Sequence, residues 1–298
     1  LISLSPDCIL TKTTGTDYIM IAKKNSPEHT AFLDKLTAFE GFFTDSHAHM
    51  HMSPLVEEAD AVMERAAQHK IKRIVTIGID IEDSRNAVDF AGRYDNVYAS
   101  VGVHPHDTVG FPENGMESLR ELLKAPKVLA LGEIGLDFFY DHSPRETQEK
   151  CFASFLGLAN ETGTPVIIHN RDSTARLIEI MKAELPAREK NGIIHCFSGD
   201  TDLMRFALDN GFYISYAGVV TFPKSDELRR SLAFVPKERL LIETDAPYLA
   251  PSPYRGRTNE PAYTVYTAET IAAETGMTLE ETAELLENNF QSLFGDRL

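Results

Sequence analysis

Eight apolar, β-branched runs alternating with stretches of helical spacing predict a (β/α)8 barrel. Metal-ligand residue types recur at the ends of those runs and predict an active rim on it. The runs cover residues 42–47, 73–78, 97–103, 128–133, 165–169, 192–195, 212–215 and 240–245. An open doubly wound sheet is the alternative for such alternation. Eight regular units with no glycine-rich dinucleotide loop favour the barrel.

Each intervening stretch carries its own helical signal. In the first, Leu55, Ala59, Val62, Met63 and Ala66 share a face, with Ser53 as N-cap and Pro54 at the first helical position. Ser143 and Glu146 read as a capping box that opens a helix with Cys151, Phe152, Phe155 and Leu158 inside. Phe206 and Leu208 sit in a further helix, and residues 228–234 form another. The last helix opens on a capping box of Thr278 and Glu281. Residues 1–40 stand outside this pattern, with a short strand at Tyr18-Ile19-Met20-Ile21 and a short helix over 29–39. They are read as an N-terminal extension packed on a single barrel domain, 41–298.

Composition narrows the function classes. The 298 residues are 43% hydrophobic, enough for one large core. Forty-five acidic residues against 29 basic ones leave a formal charge of −16, which opposes broad electrostatic binding to nucleic acid. Any phosphate substrate must then be captured locally, by metals or a few arginines. Cys8, Cys151 and Cys196 are scattered and odd in number, so a reducing, cytoplasmic setting fits better than a disulfide framework. No apolar run approaches the ~18 residues of a membrane helix. No membrane contact and no protein partner are expected.

The ligand types start at Asp45-Ser46-His47-Ala48-His49. A strand's period of two points His47 and His49 to one face, where they could share a divalent metal. Alone, the pair could equally be ordinary polar loop residues. It gains weight from His104 and His106 after the third run, and from Glu133, His169, His195 and Asp245 ending the fourth, fifth, sixth and eighth. His47, His49, Glu133, His169, His195 and Asp245 are too many ligands for one catalytic zinc, and suit two metals sharing a bridge. Glu133 is the bridge candidate because a carboxylate offers two oxygens. Asp245, near one metal, could take the proton of the attacking water as general base.

The motifs also carry a family resemblance. Phe43-Thr44-Asp45-Ser46-His47-Ala48-His49, Val101-Gly102-Val103-His104-Pro105-His106, Leu131-Gly132-Glu133-Ile134-Gly135-Leu136-Asp137 and Pro165-Val166-Ile167-Ile168-His169 resemble those of the TatD family of metal-dependent deoxyribonucleases. So do His195-Cys196-Phe197-Ser198-Gly199, Glu243-Thr244-Asp245-Ala246-Pro247-Tyr248-Leu249 and Arg255-Gly256-Arg257-Thr258-Asn259-Glu260-Pro261. The likeness runs in order from about Phe42 to Phe294. It implies a TIM barrel of the amidohydrolase superfamily that hydrolyses DNA phosphodiesters, in some relatives as a 3′ to 5′ exonuclease on single strands. Carried over, His47, His49 and Asp245 would bind one metal, His169 and His195 the other, and Glu133 both. Met50-His51 stands where many relatives have Leu-Asp, which alters what supports the first metal. The extension before residue 41 has no counterpart in the family's short N-terminus.

Two metals suit a phosphodiester, since they can neutralise a non-bridging oxygen, acidify a bound water and stabilise the leaving oxygen. Magnesium, manganese and zinc are the candidates. Arg171 and Arg257 are candidate phosphate contacts, and Arg257 could instead pair with Glu260. His104 and His106 could bond phosphate or base, while Tyr248 and Tyr254 could stack on bases or merely wall their loop. Competing chemistries on the same centre are D-aminoacyl-tRNA deacylation and amide or lactone hydrolysis. The amide hydrolases commonly bridge with a carboxylated lysine, and no lysine ends the fourth, fifth or sixth run.

Overall fold

The computed structural model describes residues 10–12, 18–20, 24, 26–185 and 188–298. Two short strands, β1 (Leu10–Lys12) and β2 (Tyr18–Met20), pair antiparallel ahead of helix α1 (Pro27–Ala38). Then follow β3 (Phe43–Ala48), α2 (Ala59–Gln68), β4 (Ile71–Ile77), α3 (Ile81–Ala91), β5 (Val97–Val101) and α4 (Gly115–Leu122). The chain continues through β6 (Val128–Asp137), α5 (Arg145–Thr162), β7 (Val166–Arg171), α6 (Thr174–Glu184), β8 (Gly192–Ile194) and α7 (Thr201–Asp209). It ends with β9 (Phe212–Tyr216), α8 (Asp226–Ser231), β10 (Leu240–Ile242), α9 (Thr264–Thr275) and α10 (Leu279–Phe294).

Strands β3 to β10 are parallel neighbours in sequence order, the topology of a (β/α)8 TIM barrel. Closure is made at the end of β3, where Ala48 bridges Ala246 beyond β10. His49 donates its N–H to the Ala246 carbonyl at 2.7 Å, and Asp245 donates to the His47 carbonyl at 2.8 Å. One apolar cluster gathers Val75, Ile77, Leu129, Ile167, Ile193, Tyr213 and Leu241 from six strands with Phe290, Leu293 and Phe294 of α10. Helix α10 lies at the N-terminal strand ends. Asn289 donates to the Leu240 carbonyl, and Glu287 accepts from Thr44 near the start of β3. The opposite end is left for chemistry.

Two bulges decide what faces that end. Between Asp45 and Ala48, β3 advances three residues while β4 advances two, from Ile74 to Thr76. Between Leu131 and Ile134, β6 again advances three against two of β7, from Val166 to Ile168. An extra residue bends a strand and re-aims its side chain. His47 lies in the first bulge and Glu133 in the second. Gly135 follows at φ 147°, where an added Cβ would sit 2.0 Å from the His169 carbonyl oxygen, so only glycine lets β6 and β7 approach.

Several expected boundaries shift. The fourth run continues to Asp137, so Glu133 stands in mid-strand rather than ending it. Strand β10 stops at Ile242 and places Asp245 in the loop beyond. Helix α2 starts at Ala59 without Ser53 as its cap, and the Ser53 hydroxyl bonds Glu57 instead. Ser143 is buried and bonds the His106 carbonyl and the Val109 N–H, so it is not free to cap α5. The capping box of Thr278 and Glu281 does form. Helix α1 joins the core through Phe32 and Leu36, Phe39 stacks on Phe43 at 5.3 Å, and His29 bonds the Tyr266 hydroxyl at 2.9 Å. Cys8 and Ile21 lie outside the described residues. Among those described, no helix is long and apolar enough to cross a membrane.

Removing the fully buried Phe290 ring should cost about 3–5 kcal/mol of stability in chemical denaturation, against about 1 kcal/mol for Thr278→Ala at the cap.

Candidate metal centre

The bulge in β3 and the closing bonds bring His47, His49 and Asp245 together. His47 is fully buried, and neither of its ring nitrogens has a hydrogen-bond partner. Its Nε2 lies 3.3 Å from Glu133 Oε2 and 3.6 Å from Asp245 Oδ1. His49 Nε2 lies 3.6 Å from the same Asp245 oxygen, while its Nδ1–H donates to the Ile77 carbonyl at 3.0 Å. That bond leaves the Nε2 lone pair free for a cation. Asp245 holds φ 57°, a left-handed conformation that costs a non-glycine residue of order 1–3 kcal/mol, and the closing bond to His47 keeps it there.

Glu133 joins this group to a second. Its Oε1 lies 2.8 Å from both His169 Nδ1 and His195 Nε2, and 3.6 Å from His104 Nε2. Three sets of side chains bring ligand atoms within 4.8 Å of one another: His47, His49 and Asp245; His47, Glu133 and His195; His104, Glu133 and His169. All six sequence-predicted ligands are therefore brought together, and His104 joins them. Imidazole nitrogens and carboxylate oxygens are the donor set of a divalent first-row cation. The unpartnered His47 Nε2, facing Glu133 and Asp245, is the nitrogen that could bind such a cation.

A layer of carboxylates orients the ligands. Asp137 Oδ2 faces His169 Nε2 at 3.3 Å and His106 Nε2 at 2.9 Å, and its Oδ1 accepts the N–H groups of Phe139 and Tyr140. Glu243 Oε1 accepts from His195 Nδ1 at 3.2 Å and from the Cys196 N–H at 2.7 Å. Asp45 accepts from the N–H and hydroxyl of Thr244 at 2.9 and 2.5 Å, clamping the closing seam. Sequence reasoning did not single out these three. The available signal was spacing: Asp45 and Glu243 each precede a ligand by two residues, and Asp137 follows Glu133 by four. His51 bonds the Thr76 hydroxyl through Nδ1 at 2.8 Å, which links this end of the centre to β4, and its Nε2 lies 3.0 Å from Asp83 Oδ1 of α3.

Burial and charge sort the protons. Burial lowers His47, and pushes His104 down to about 3, so both rings are neutral near pH 7. Burial also opposes a charge on His195, but the carboxylates of Glu133 and Glu243 outweigh it and hold the ring well above the usual histidine range. His169 is raised in the same way, with Asp137 and Glu133 overcoming its burial. Glu133 is held well below the carboxylate range despite burial, by the charge of His195 and by its bonds from His169 and His195. Burial works against an ionised Asp245 too, but its contact with His49 and the charge of His195 draw its carboxyl down. Asp45 goes the other way, pushed up to about 7 by burial.

The centre opens into a cavity of about 750 Å³ lined by His104, His106, Arg171, Asp245 and Tyr248 among others. Arg257 is exposed on its loop and is not part of the lining. Glu260 is taken by Arg65, whose Nε and Nη2 lie 2.6–2.9 Å from its carboxylate. Tyr254 is buried against Tyr263 at 4.0 Å, whereas Tyr248 lines the mouth and is 55% exposed.

A TIM barrel with this buried set of imidazoles and carboxylates at its C-terminal rim defines a metal-dependent hydrolase. The family described as TatD related DNase matches residues 44–295, and the chain belongs to it. A metal-dependent hydrolase of Bacillus subtilis, YabD, is 40% identical over 250 residues, covering 84% of this chain and 98% of its own. The "3′-5′ ssDNA/RNA exonuclease TatD" of Salmonella typhimurium is 34% identical over 255 residues, with 84% and 98% covered. The crystal structure of the TatD homologue YjjV from Escherichia coli superposes with a TM-score of 0.80 at 29% identity, covering 85% of this chain and 98% of that one.

Because His195 and His169 carry protons that a cation must displace, metal affinity should climb with pH below their raised values, and binding should release protons. Calorimetry in buffers of different ionisation enthalpy measures that release. Glu243→Gln, which loosens His195, should weaken metal retention about 10–100-fold.

Proposed function

We propose that this hydrolase cleaves phosphodiester bonds of single-stranded DNA from the 3′ end, using two divalent cations. The observation that carries this reading is the placement of Glu133, whose Oε2 faces His47 while its Oε1 faces His169 and His195. One carboxylate thus serves both halves of the centre. His47, His49 and Asp245 would hold one cation, His169 and His195 the other, and Glu133 both. When bound, magnesium, manganese or zinc would neutralise charge on the phosphate and acidify the attacking water. The exonuclease name of the Salmonella relative supports the choice of substrate.

The chain's own groups supply the rest. Asp245 is drawn down by His49 and His195 and is ionised at neutral pH, so it can accept the proton of the attacking water. Glu133 is likewise ionised and fixes the two ligand groups relative to each other. Asp137 holds His169 and His106 in orientation, and His104 offers a neutral imidazole to the substrate side. Arg171 brings a permanent charge to the cavity and is the phosphate contact in this scheme.

End-labelled single-stranded DNA should be shortened from its 3′ end once metal-stripped protein is resupplied with magnesium, manganese or zinc. Asp245→Asn should lower kcat by about 10²–10⁴, and Arg171→Ala should raise KM about tenfold or more. Metal binding without cleavage of any strand would refute the nuclease reading.

A further inference from the structure

The aromatic lip of the cavity has no part in the chemistry above. Past Asp137 the chain turns outward through Phe139 and Tyr140, whose N–H groups are both held by Asp137 Oδ1, at 2.9 and 3.1 Å. The two rings are 53% and 49% exposed, unusual for aromatics this size. They are nevertheless fixed. The Arg171 guanidinium lies 4.0 Å from the Phe139 centroid and 4.6 Å from that of Tyr140. The rings stand at 87° to each other, and Tyr140 stacks on His142 with an interplanar angle of 9°. Tyr140 and Arg171 both line the cavity, so the lip is continuous with the metal centre.

Charge identifies the occupant. Among the described residues lining the cavity, Arg171 is the only arginine and there is no lysine, on a chain of net charge −16. A polyanion cannot be held here by many phosphate contacts. A flat apolar face beside one cation suits a nucleobase next to a phosphate, and stacking accepts any base because each has a π-face. We infer that Phe139, braced from one side by Arg171, is a stacking platform for a nucleobase of the strand whose phosphodiester enters the cavity. The inference rests on the nuclease reading.

The test compares an end-labelled oligothymidylate with the same sugar–phosphate strand lacking bases, using the metal-loaded full chain. On the base-bearing strand, Phe139→Ala and Phe139→Leu raise KM about tenfold and leave kcat within about twofold, while Phe139→Trp restores or improves KM. On the abasic strand all four proteins share one high KM. Equal losses on both strands would mean that Phe139 only holds Arg171 in place, and would overturn the platform. So would an unchanged KM in Phe139→Ala. If the unaltered protein neither binds nor cuts either strand, the nuclease reading falls and the platform with it. If that protein cuts both strands with the same KM, the platform alone falls. Because the ring is half exposed, unchanged melting temperatures would confirm that the variants fold.

Discussion

Barrel closure and the candidate metal centre share the same few residues. The last pairing of the sheet runs through His47, His49, Asp245 and Ala246, and the backbone bonds that shut the cylinder also fix the first group of ligands. Asp45 reinforces the seam by clasping Thr244 beside it. A slip of one residue along this pairing would turn the ligands to the other face. The register that closes the barrel is thus also the one that brings these side chains together.

The two ends of the barrel carry opposite loads. Around α10 the interior is apolar and densely filled, and each buried ring there stabilises the fold by about 1.5–3 kcal/mol. At the rim, Glu133, His195, Glu243 and Asp45 are taken out of water, and a buried charge is tolerated only when paired. Glu133 and Glu243 face the His195 ring, whose raised affinity for a proton supplies that pairing. A ligand that binds only the folded state adds to stability by mass action.

The barrel was legible because a period of two, alternating with helical spacing, is written along the whole chain. The candidate ligands stand out in the sequence because metal-ligand residue types recur near the ends of its apolar runs, and the fold brings them together. What the pattern hid was local. Bulges have no reliable sequence mark, so Glu133 read as a strand end when it lies inside one. Ser53 and Ser143 carry the right residue types for caps, but tertiary partners claimed them. Asp137 and Glu243 were hidden because an orienting carboxylate differs from any other only in what it touches. The Arg171 bracket was hidden for the same reason, since Phe139 and Tyr140 resemble core residues until their exposure is seen. Arg257 was suggested by its loop, and lies off the cavity.

The closing seam also sets an order of assembly. Asp45 and its Thr244 partner are 199 residues apart in the chain. A nascent polypeptide acquires Glu133, His169 and His195 well before the ribosome reaches Asp245. The inner half of the centre can thus be furnished early, whereas the half that closes the cylinder waits for the last strand. A chain cut short of β10 would leave the edges of β3 and β9 unpaired and the candidate centre without Asp245.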